Sequence, residues 1–370
     1  MTSILAQTPL FAWHATHGGR MVDFAGWSMP VQYSSIVAEH QATRSSVGLF
    51  DVSHMGRIRF EGPESEAFLD RLVTRKIAGM RAGQIRYALI TQDEGGILDD
   101  VLVYRLRDRS GHDYFELVVN ASNRQKILDW LEARRGASDV VFVDRTLATA
   151  MIAVQGPRAL EILRPLVSLD LAPLRFYQGG EAEIAGAPGL VSRTGYTGED
   201  GCELAVPVES ALGLWEKLFA AAEPLGGMAA GLGCRDTLRL EAGMPLYGHE
   251  LSEAIDPFQA GLGYAVDLEN RAFPGRDALV KRRDDSSRPL RAGWILAGKR
   301  VPREGYPILA QGQPVGHVTS GTFSPTLQQP IAMGYIRADL AAPGTEVLID
   351  IRGHQEPART VPLPFYRRTL

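Results

Sequence analysis

The chain has 370 residues, of which 45% are hydrophobic and 22% charged, values typical of a globular protein with two or three domains. A formal net charge of −4 provides no broad basic field, so we expect neither nucleic acid nor a membrane surface as a partner. With only two cysteines and no histidine cluster at ligand spacing, we expect no disulfide framework and no metal site.

The N-terminal stretch MTSILAQTPLFAW has no basic segment followed by a long apolar one, which a signal peptide requires. No uncharged apolar run reaches about 18 residues, the length needed for a membrane-spanning helix. We therefore expect a cytoplasmic protein.

Helix and strand patterns alternate along the first half of the chain. Apolar residues at helical spacing predict helices, and polar–apolar alternation or apolar runs bounded by turn residues predict strands. The predicted helices are 34–46, 63–75 and 122–136, and the predicted strands are 56–62 and 114–120. Between them, RYALITQDEGGILDDVLVYRL predicts a hairpin with its turn at QDEGG.

The alternation continues from residue 140 to about 275. A buried strand is predicted at 149–157 and a polar loop, YTGEDG, between two further strands. Helices are predicted at 158–168, 210–223 and 233–243. The charged stretch RRDDSSRP then predicts a linker, and the short strands, glycines and prolines after it predict a small barrel-like β domain.

Two adjacent carboxylates interrupt the apolar strand GGILDDVLVY. Successive side chains of a strand point to opposite faces, so Asp99 and Asp100 cannot form one acid–base pair. This weakens a glycosidase or aspartic protease hypothesis, which needs converging carboxylates. From the residues alone, a functional role and a structural hydrogen-bonding role for one of the two stay equally open.

Two further stretches contain charged residues suited to a ligand. In SRTGYTGEDGCEL, Glu203 could pair with a ring N–H and an amine of a pterin or purine, although the stretch could equally be a plain hairpin. In GLGCRDTLRLEAG, Arg235 could face a ligand, but a salt-bridged helix start is the simpler interpretation. Asp236 and Arg239 are expected to form a surface pair of little worth.

The segments MVDFAGWSMPVQY and GLFDVSHMG are rich in aromatic residues and methionine, which indicates core packing. His54 is expected to be a structural histidine with its hydrogen bonds satisfied. SGTFSPTL has no accompanying nucleophile elbow, so nucleophilic serine chemistry is not expected.

Eight motifs in register carry a resemblance that covers almost the whole chain. They are VDFAGWSMPVQY, FDVSHMG, GGILDDVLVY, LVVNASN, AVQGP, SRTGYTGEDGCEL, GLGCRDTLRLEAGMPLYG and TSGTFSPTL. Together they resemble the T-protein family of the glycine cleavage system, whose members are aminomethyltransferases. Cys202 and Cys234 depart from the family's usual residues, and we expect these to be packing changes.

The resemblance implies an α+β fold with three domains arranged as a cloverleaf around a central folate channel. Two α+β domains would be interleaved in sequence, one formed by residues 1–55 with 148–275 and the other by 56–147. The third, residues 285–370, would be a C-terminal β barrel.

The resemblance also implies a reaction and its site. Tetrahydrofolate would be the co-substrate and the lipoylated H protein the partner, with ammonia and 5,10-methylenetetrahydrofolate as products and no metal. Asp100 would be the catalytic residue. The folate-binding residues would be Glu203, Arg235, Tyr87, Asn120, Tyr196, Met55, Phe176 and a C-terminal residue, Tyr366 or Arg367.

Two alternatives stay open at this point. A folate-dependent demethylase would keep the pterin site and change the substrate. A non-enzymatic folate-binding relative would carry a K-G-C-Y-x-G-Q signature, which this chain lacks.

Overall fold

The computed structural model describes residues 4–368. By its internal contacts the chain divides into two units. The first comprises the described residues up to Asp70, Ile77–Tyr87 and Val101–Arg235. The second comprises Arg71–Lys76, Ala88–Asp100 and the described chain from Asp236 onward.

Strands outnumber helices among the described residues. The strands are β1 Ala6–Gln7, β2 Arg20–Phe24, β3 Trp27–Gln32, β4 Gly48–Asp51, β5 Gly56–Glu61, β6 Ile85–Thr91, β7 Ile97–Arg107, β8 Asp113–Val119, β9 Val141–Asp144, β10 Thr149–Gln155, β11 Gly179–Ile184, β12 Ala187–Ser192, β13 Gly201–Pro207, β14 Met228–Ala229, β15 Leu290–Leu296, β16 Pro307–Ala310, β17 Gln313–Ser324, β18 Gln329–Ile336, β19 Glu346–Ile351 and β20 His354–Val361. The helices are α1 Phe11–Thr16, α2 Ile36–Ser45, α3 Ser65–Asp70, α4 Arg124–Arg135, α5 Ala159–Leu163, α6 Ala211–Ala222, α7 Leu232–Glu241 and α8 Arg276–Arg282.

The main sheet of the first unit has the strand order β11-β12-β13-β10-β4-β14. Its central strands β10 and β13 are antiparallel and almost wholly buried, because apolar residues occupy nearly every position. The amphipathic helix α6 contributes Leu214, Trp215 and Leu218 to the same core. Glu203 is therefore a carboxylate in the middle of a buried apolar strand, where the loss of hydration disfavours its charged form.

A second, five-stranded sheet has the order β6-β7-β8-β5-β9. Its first two strands form the hairpin predicted at QDEGG, and the turn is closed by a hydrogen bond from the Gln92 N–H to the Gly96 carbonyl, 2.9 Å. The predicted alternation of the two aspartates is present in β7, where Asp99 is fully buried and Asp100 half-buried. A double-carboxylate mechanism within this strand is thereby disfavoured.

Within the second unit, β15-β18-β17-β16-β19-β20 form a closed barrel. Trp294, Ile308, Val318 and Ile349 are among the fully buried residues that fill its core. This confirms the predicted α+β fold with a C-terminal β barrel. The cloverleaf arrangement, the channel and the three domain boundaries stay predictions.

Two predicted helices are shorter than expected. The helix predicted at 63–75 ends at Asp70, whose side-chain oxygen Oδ1 accepts hydrogen bonds from the N–H groups of Ile77 and Ala78 at 2.5 and 2.9 Å. An aspartate that binds later backbone N–H groups stabilises a turn in competition with the helix. The helix predicted at 158–168 likewise ends at Leu163.

Candidate functional site

Glu203 lies beside Thr194 at the junction of β12 and β13 in the first unit. Ser192 is its register partner across the sheet, and the Thr194 hydroxyl donates to Glu203 Oε2 at 2.5 Å. The carboxylate is only 7% exposed. Burial raises the pKa of Glu203, while the Thr194 hydroxyl and the charge of Arg235 oppose that rise. A ligand that donates N–H groups to this carboxylate would favour its ionised form.

Arg235, near the start of α7, stacks on Tyr196. Its guanidinium carbon lies 4.8 Å from the centre of the Tyr196 ring, a cation–π arrangement. Burial lowers the pKa of Arg235, and the negative charge of Glu203 opposes this effect. Within residues 4–368, the buried Arg235 Nη1 has no hydrogen-bond partner. The sequence pattern favoured a salt-bridged helix start, whereas in the structure this donor is buried without a hydrogen-bond partner among residues 4–368.

Tyr104, on β7, belongs to the same unit and is 1% exposed. The side chains of Ser192 and Thr194 are hydrogen-bonding groups next to its buried hydroxyl. Burial, and secondarily the charge of Glu203, raise the pKa of Tyr104, so the hydroxyl stays protonated. A protonated phenol next to Glu203 can donate a hydrogen bond to, or accept one from, a polar ring atom of a ligand.

The loop that carries Tyr196 is held by Gln155 at the end of β10. Gln155 Nε2 donates to the Thr194 carbonyl at 3.1 Å, and the Thr197 hydroxyl donates to Gln155 Oε1 at 2.8 Å. A Cβ atom at position 195 would lie 2.0 Å from Gln155 Oε1, so a larger residue than Gly195 would displace the Gln155 amide from these hydrogen bonds. Tyr196 is thus fixed from both sides by a residue that the sequence analysis missed.

Arg44 holds the same loop further along. Its Nη1 donates to the Thr197 carbonyl at 2.8 Å and to Glu199 Oε1 at 2.9 Å. An ion pair between Arg193 and Asp200 lies at the loop's ends. The turn predicted at YTGEDG is therefore a rigid loop and not a simple hairpin tip.

Met55 is half-buried in the turn after β4, next to the buried His54. Among the described residues, Nδ1 of His54 has no hydrogen-bond partner, so the expectation of a satisfied structural histidine is wrong at this nitrogen. Burial, and secondarily the positive charge of Arg235, lower the pKa of His54 to about 3, so its imidazole is neutral. Met55 itself stays a predicted ligand residue.

Three other predicted ligand residues lie in the first unit. Tyr87 is half-buried on β6, and Asn120 is half-buried immediately after β8. Phe176 is 46% exposed and packs on Tyr177, with 4.5 Å between ring centres. Nothing in these positions tests their predicted contact with folate, which stays a prediction.

Asp100 belongs to the second unit, on the half-buried face of β7. Tyr264 is 64% exposed, and its pKa is raised first by partial desolvation and to a smaller extent by the negative charge of Asp100, which places the two groups near each other. Tyr366, near the described C-terminus, is half-buried and donates its backbone N–H to the Glu241 carbonyl at 2.8 Å. Their predicted roles toward the co-substrate stay predictions.

Gly96, which lies shortly before the two aspartates, is required by a close backbone contact within the second unit. A Cβ atom at Gly96 would lie 1.8 Å from the Glu253 carbonyl oxygen, so only glycine fits. The next residue, Ile97, donates its N–H to the Ile255 carbonyl at 3.0 Å. This close backbone approach fixes the start of β7 and hence the position of Asp100 along the strand.

Asp236 and Arg239 do form the predicted pair, at 2.8 Å, but Arg239 is only 2% exposed. Its Nη1 also donates to the fully buried Glu250 at 2.8 Å. Burial alone would raise the pKa of Glu250, but Arg239 and the hydroxyls of Thr319 and Ser320 bring it below its ordinary value. The expectation of a surface pair of little worth is therefore wrong for Arg239.

The unpartnered atoms of Arg235 and His54, together with Glu203, fit a flat heterocycle that both donates and accepts hydrogen bonds. Residues 4–368 contain no group of three or more His, Cys, Asp or Glu side chains able to hold a metal ion. Both cysteines are free and buried. No described helix is long and apolar enough to cross a membrane.

Comparison with known proteins identifies the class. The model of the GCVT N-terminal domain matches residues 10–270, and that of the glycine cleavage T-protein C-terminal barrel domain matches residues 292–367. The chain belongs to the glycine cleavage T-protein family.

Individual relatives agree with this membership. An aminomethyltransferase of Streptomyces avermitilis is 50% identical over 366 residues, covering 98% of this chain and 97% of the relative. One from Moorella thermoacetica is 46% identical, covering 98% of each chain. The crystal structure of glycine cleavage system aminomethyltransferase T from Bartonella henselae matches with a TM-score of 0.91 and 34% identity over 98% of each chain. The predicted enzyme class, an aminomethyltransferase of the glycine cleavage system, is confirmed.

Proposed function

We propose that this enzyme transfers the aminomethyl carbon from the lipoyl arm of the H protein to tetrahydrofolate in the cytoplasm. The bound group R–S–CH₂–NH₂ would give its methylene to N5 and N10 of the folate. The two N–H protons of the folate would leave with ammonia and with the freed lipoyl thiol, so atoms and charge balance. The observation that supports a folate co-substrate best is the buried Glu203 beside the unpartnered nitrogen of Arg235.

Glu203 would bind the pterin ring. A pterin presents an amino group and a ring N–H side by side, and one carboxylate can accept both hydrogen bonds. Thr194 orients this carboxylate through the 2.5 Å hydrogen bond to Oε2. Arg235, fixed against Tyr196, would donate to an acceptor atom of the ligand. Burial of these groups strengthens each interaction, because water does not compete for it.

Asp100 would serve the chemical step. Its half-buried carboxylate would accept a hydrogen bond from the reacting side of the folate and polarise it while N5 attacks the methylene carbon. A positioned acid–base group contributes about 10²–10⁴-fold to a rate. Proximity of the lipoyl arm and the folate would provide much of the remainder.

The test is ammonia release from aminomethylated H protein, measured with and without tetrahydrofolate. We expect release to depend on tetrahydrofolate in the wild type and Asp100→Asn to lose about 10²–10⁴-fold in turnover while remaining folded. Asp93→Asn, at an exposed position in the preceding turn, is the matched control and should keep full turnover. Unchanged turnover in Asp100→Asn would refute the catalytic assignment, and release independent of tetrahydrofolate would refute the proposed reaction.

A further inference from the structure

His54 is an imidazole held in place without a hydrogen-bond partner at Nδ1. It is 2% exposed, and its ring meets Phe24 edge-on, with 5.5 Å between ring centres and 85° between ring planes. Among residues 4–368, no group forms a hydrogen bond with its buried Nδ1. Leaving such an atom unpaired is costly, so its presence calls for an explanation.

The backbone on both sides of His54 is fixed by one buried arginine. Arg57, 1% exposed, donates from Nη1 to the Met55 carbonyl at 2.6 Å and from Nη2 to the Ser53 carbonyl at 3.2 Å. The Ser53 N–H in turn donates to Asp51 Oδ1 at 2.9 Å. The turn is therefore rigid, and the imidazole cannot reach a different partner by a backbone shift.

Arg57 makes these hydrogen bonds from a buried position, where desolvation disfavours its positive charge. Its other hydrogen bonds go to the Thr146 carbonyl at 2.6 Å and to the carbonyl and hydroxyl of Thr149 at 2.9 and 2.8 Å. Burial lowers the pKa of Arg57 to about 10. Binding sites typically rely on such supporting residues, which fix the groups that contact the ligand.

The electrostatic surroundings of His54 select its protonation state. Burial lowers the pKa of His54 most, the positive charges of Arg235 and Arg57 lower it as well, and the negative charge of Asp51 opposes them without restoring the ordinary value. The imidazole is neutral at physiological pH and can act as one hydrogen-bond donor and one acceptor. Arg235, which belongs to the proposed pterin site, likewise has an unpartnered nitrogen.

We propose that His54 is a ligand-contact residue whose Nδ1 forms a hydrogen bond with a polar ring atom of the bound pterin, and that Arg57 is its positioning residue. This inference rests on the proposed function, because it assumes a folate in the site that contains Glu203 and Arg235. The ring nitrogens and the oxo group of a pterin include both hydrogen-bond donors and acceptors, so either tautomer of His54 would find a partner. Binding would thus satisfy atoms of His54 and Arg235 that the protein alone leaves unpaired.

The experiment compares two substitutions in the full-length enzyme. His54→Phe keeps a flat ring but removes both nitrogens, whereas His54→Asn keeps a polar atom near the Nδ1 position. Calorimetry should show about a tenfold rise in the Kd for tetrahydrofolate for His54→Phe, and a smaller rise for His54→Asn. The Tm of unliganded His54→Phe should equal or exceed that of the wild type, because an unpaired buried polar atom has been removed.

A purely structural histidine predicts the opposite pattern, namely a lower Tm for His54→Phe with an unchanged Kd, and that result would overturn the proposal. A second measurement needs no folded His54→Phe: the ¹⁵N resonance of His54 Nδ1, assigned by comparison with His54→Asn, should shift when tetrahydrofolate is added. An unmoved resonance in wild-type enzyme that binds tetrahydrofolate would overturn the inference alone. Absence of tetrahydrofolate binding by the wild type would instead overturn the proposed function.

Discussion

Substitution of Glu203 by glutamine should change ligand affinity and fold stability in opposite directions. The change keeps the size of the side chain and the acceptor for the Thr194 hydroxyl, but removes the negative charge. Hydrogen bonds to a charged group are worth about 1.5–3 kcal/mol, so we expect the Kd for tetrahydrofolate to rise about 10- to 150-fold. The buried position of Glu203 supports the upper part of this range.

The effect on stability has the other sign. Burial raises the pKa of Glu203 above its ordinary value of 4.5, so the folded protein binds this proton more tightly than the unfolded chain does. The resulting stability is fully present below pH 4.5 and is lost as the pH rises through the folded-state pKa. The glutamine variant has no such loss, and its unliganded form should be at least as stable as the wild type at pH 8.

Titration calorimetry with tetrahydrofolate and urea unfolding of the unliganded protein measure the two effects. Wild-type affinity should fall as the pH is lowered through the raised pKa of Glu203, and this component should vanish in the variant. Glu209→Gln, an exposed glutamate further along the same segment, is the control and should change neither quantity. Equal affinity of Glu203→Gln and wild type would refute the role of this carboxylate as the pterin anchor.

Three further substitutions test the supporting structure. Asp99→Asn, which changes a fully buried carboxyl group, should lower the free energy of unfolding by about 1–3 kcal/mol in urea titrations and affect turnover less; a larger effect on turnover would mean that the wrong aspartate was assigned. Gln155→Met should raise the Kd for tetrahydrofolate by loosening the Tyr196 loop, and an unchanged Kd in calorimetry would contradict this positioning role. Arg239→Met leaves the buried Glu250 carboxylate without its ion-pair partner and should lower the free energy of unfolding by about 3–5 kcal/mol. Asp236→Asn, on the exposed side of the same arginine, should lower it by less than about 1 kcal/mol. Similar losses for the two variants in chemical denaturation would argue against a strong buried pair.

Local sequence patterns predicted the secondary structure well where the determining interactions are local. Ser35 caps α2 by accepting a hydrogen bond from the Ala38 N–H, and Gly136 follows α4 with a positive φ of 55°. Both are signals that can be read within four residues of the helix end. The helix predicted at 63–75 failed because Asp70 binds backbone groups seven and eight positions further along.

The parts of the site that sequence reasoning missed depend on long-range contacts. Gln155 binds the loop around Tyr196, about 40 positions away, and Arg57 binds Thr146 and Thr149, about 90 positions away. Neither residue type carries a spacing pattern that indicates such a partner. His54 was assigned to the core from its apolar neighbours, which gave its burial correctly but could not reveal an unpaired nitrogen.

The way the turn before β7 is built has a practical consequence for recombining this enzyme with its relatives. Thr91 donates its hydroxyl to the Pro274 carbonyl at 2.6 Å, and Gly95 lies against Leu279 of α8, 3.2 Å from where its Cβ would be. A chimera joined at residue 271, just past the matched N-terminal domain, would take these two contact surfaces from different parents. A crossover within 283–289 keeps them together, so it is the better point for exchanging barrels while preserving the strand that carries Asp100.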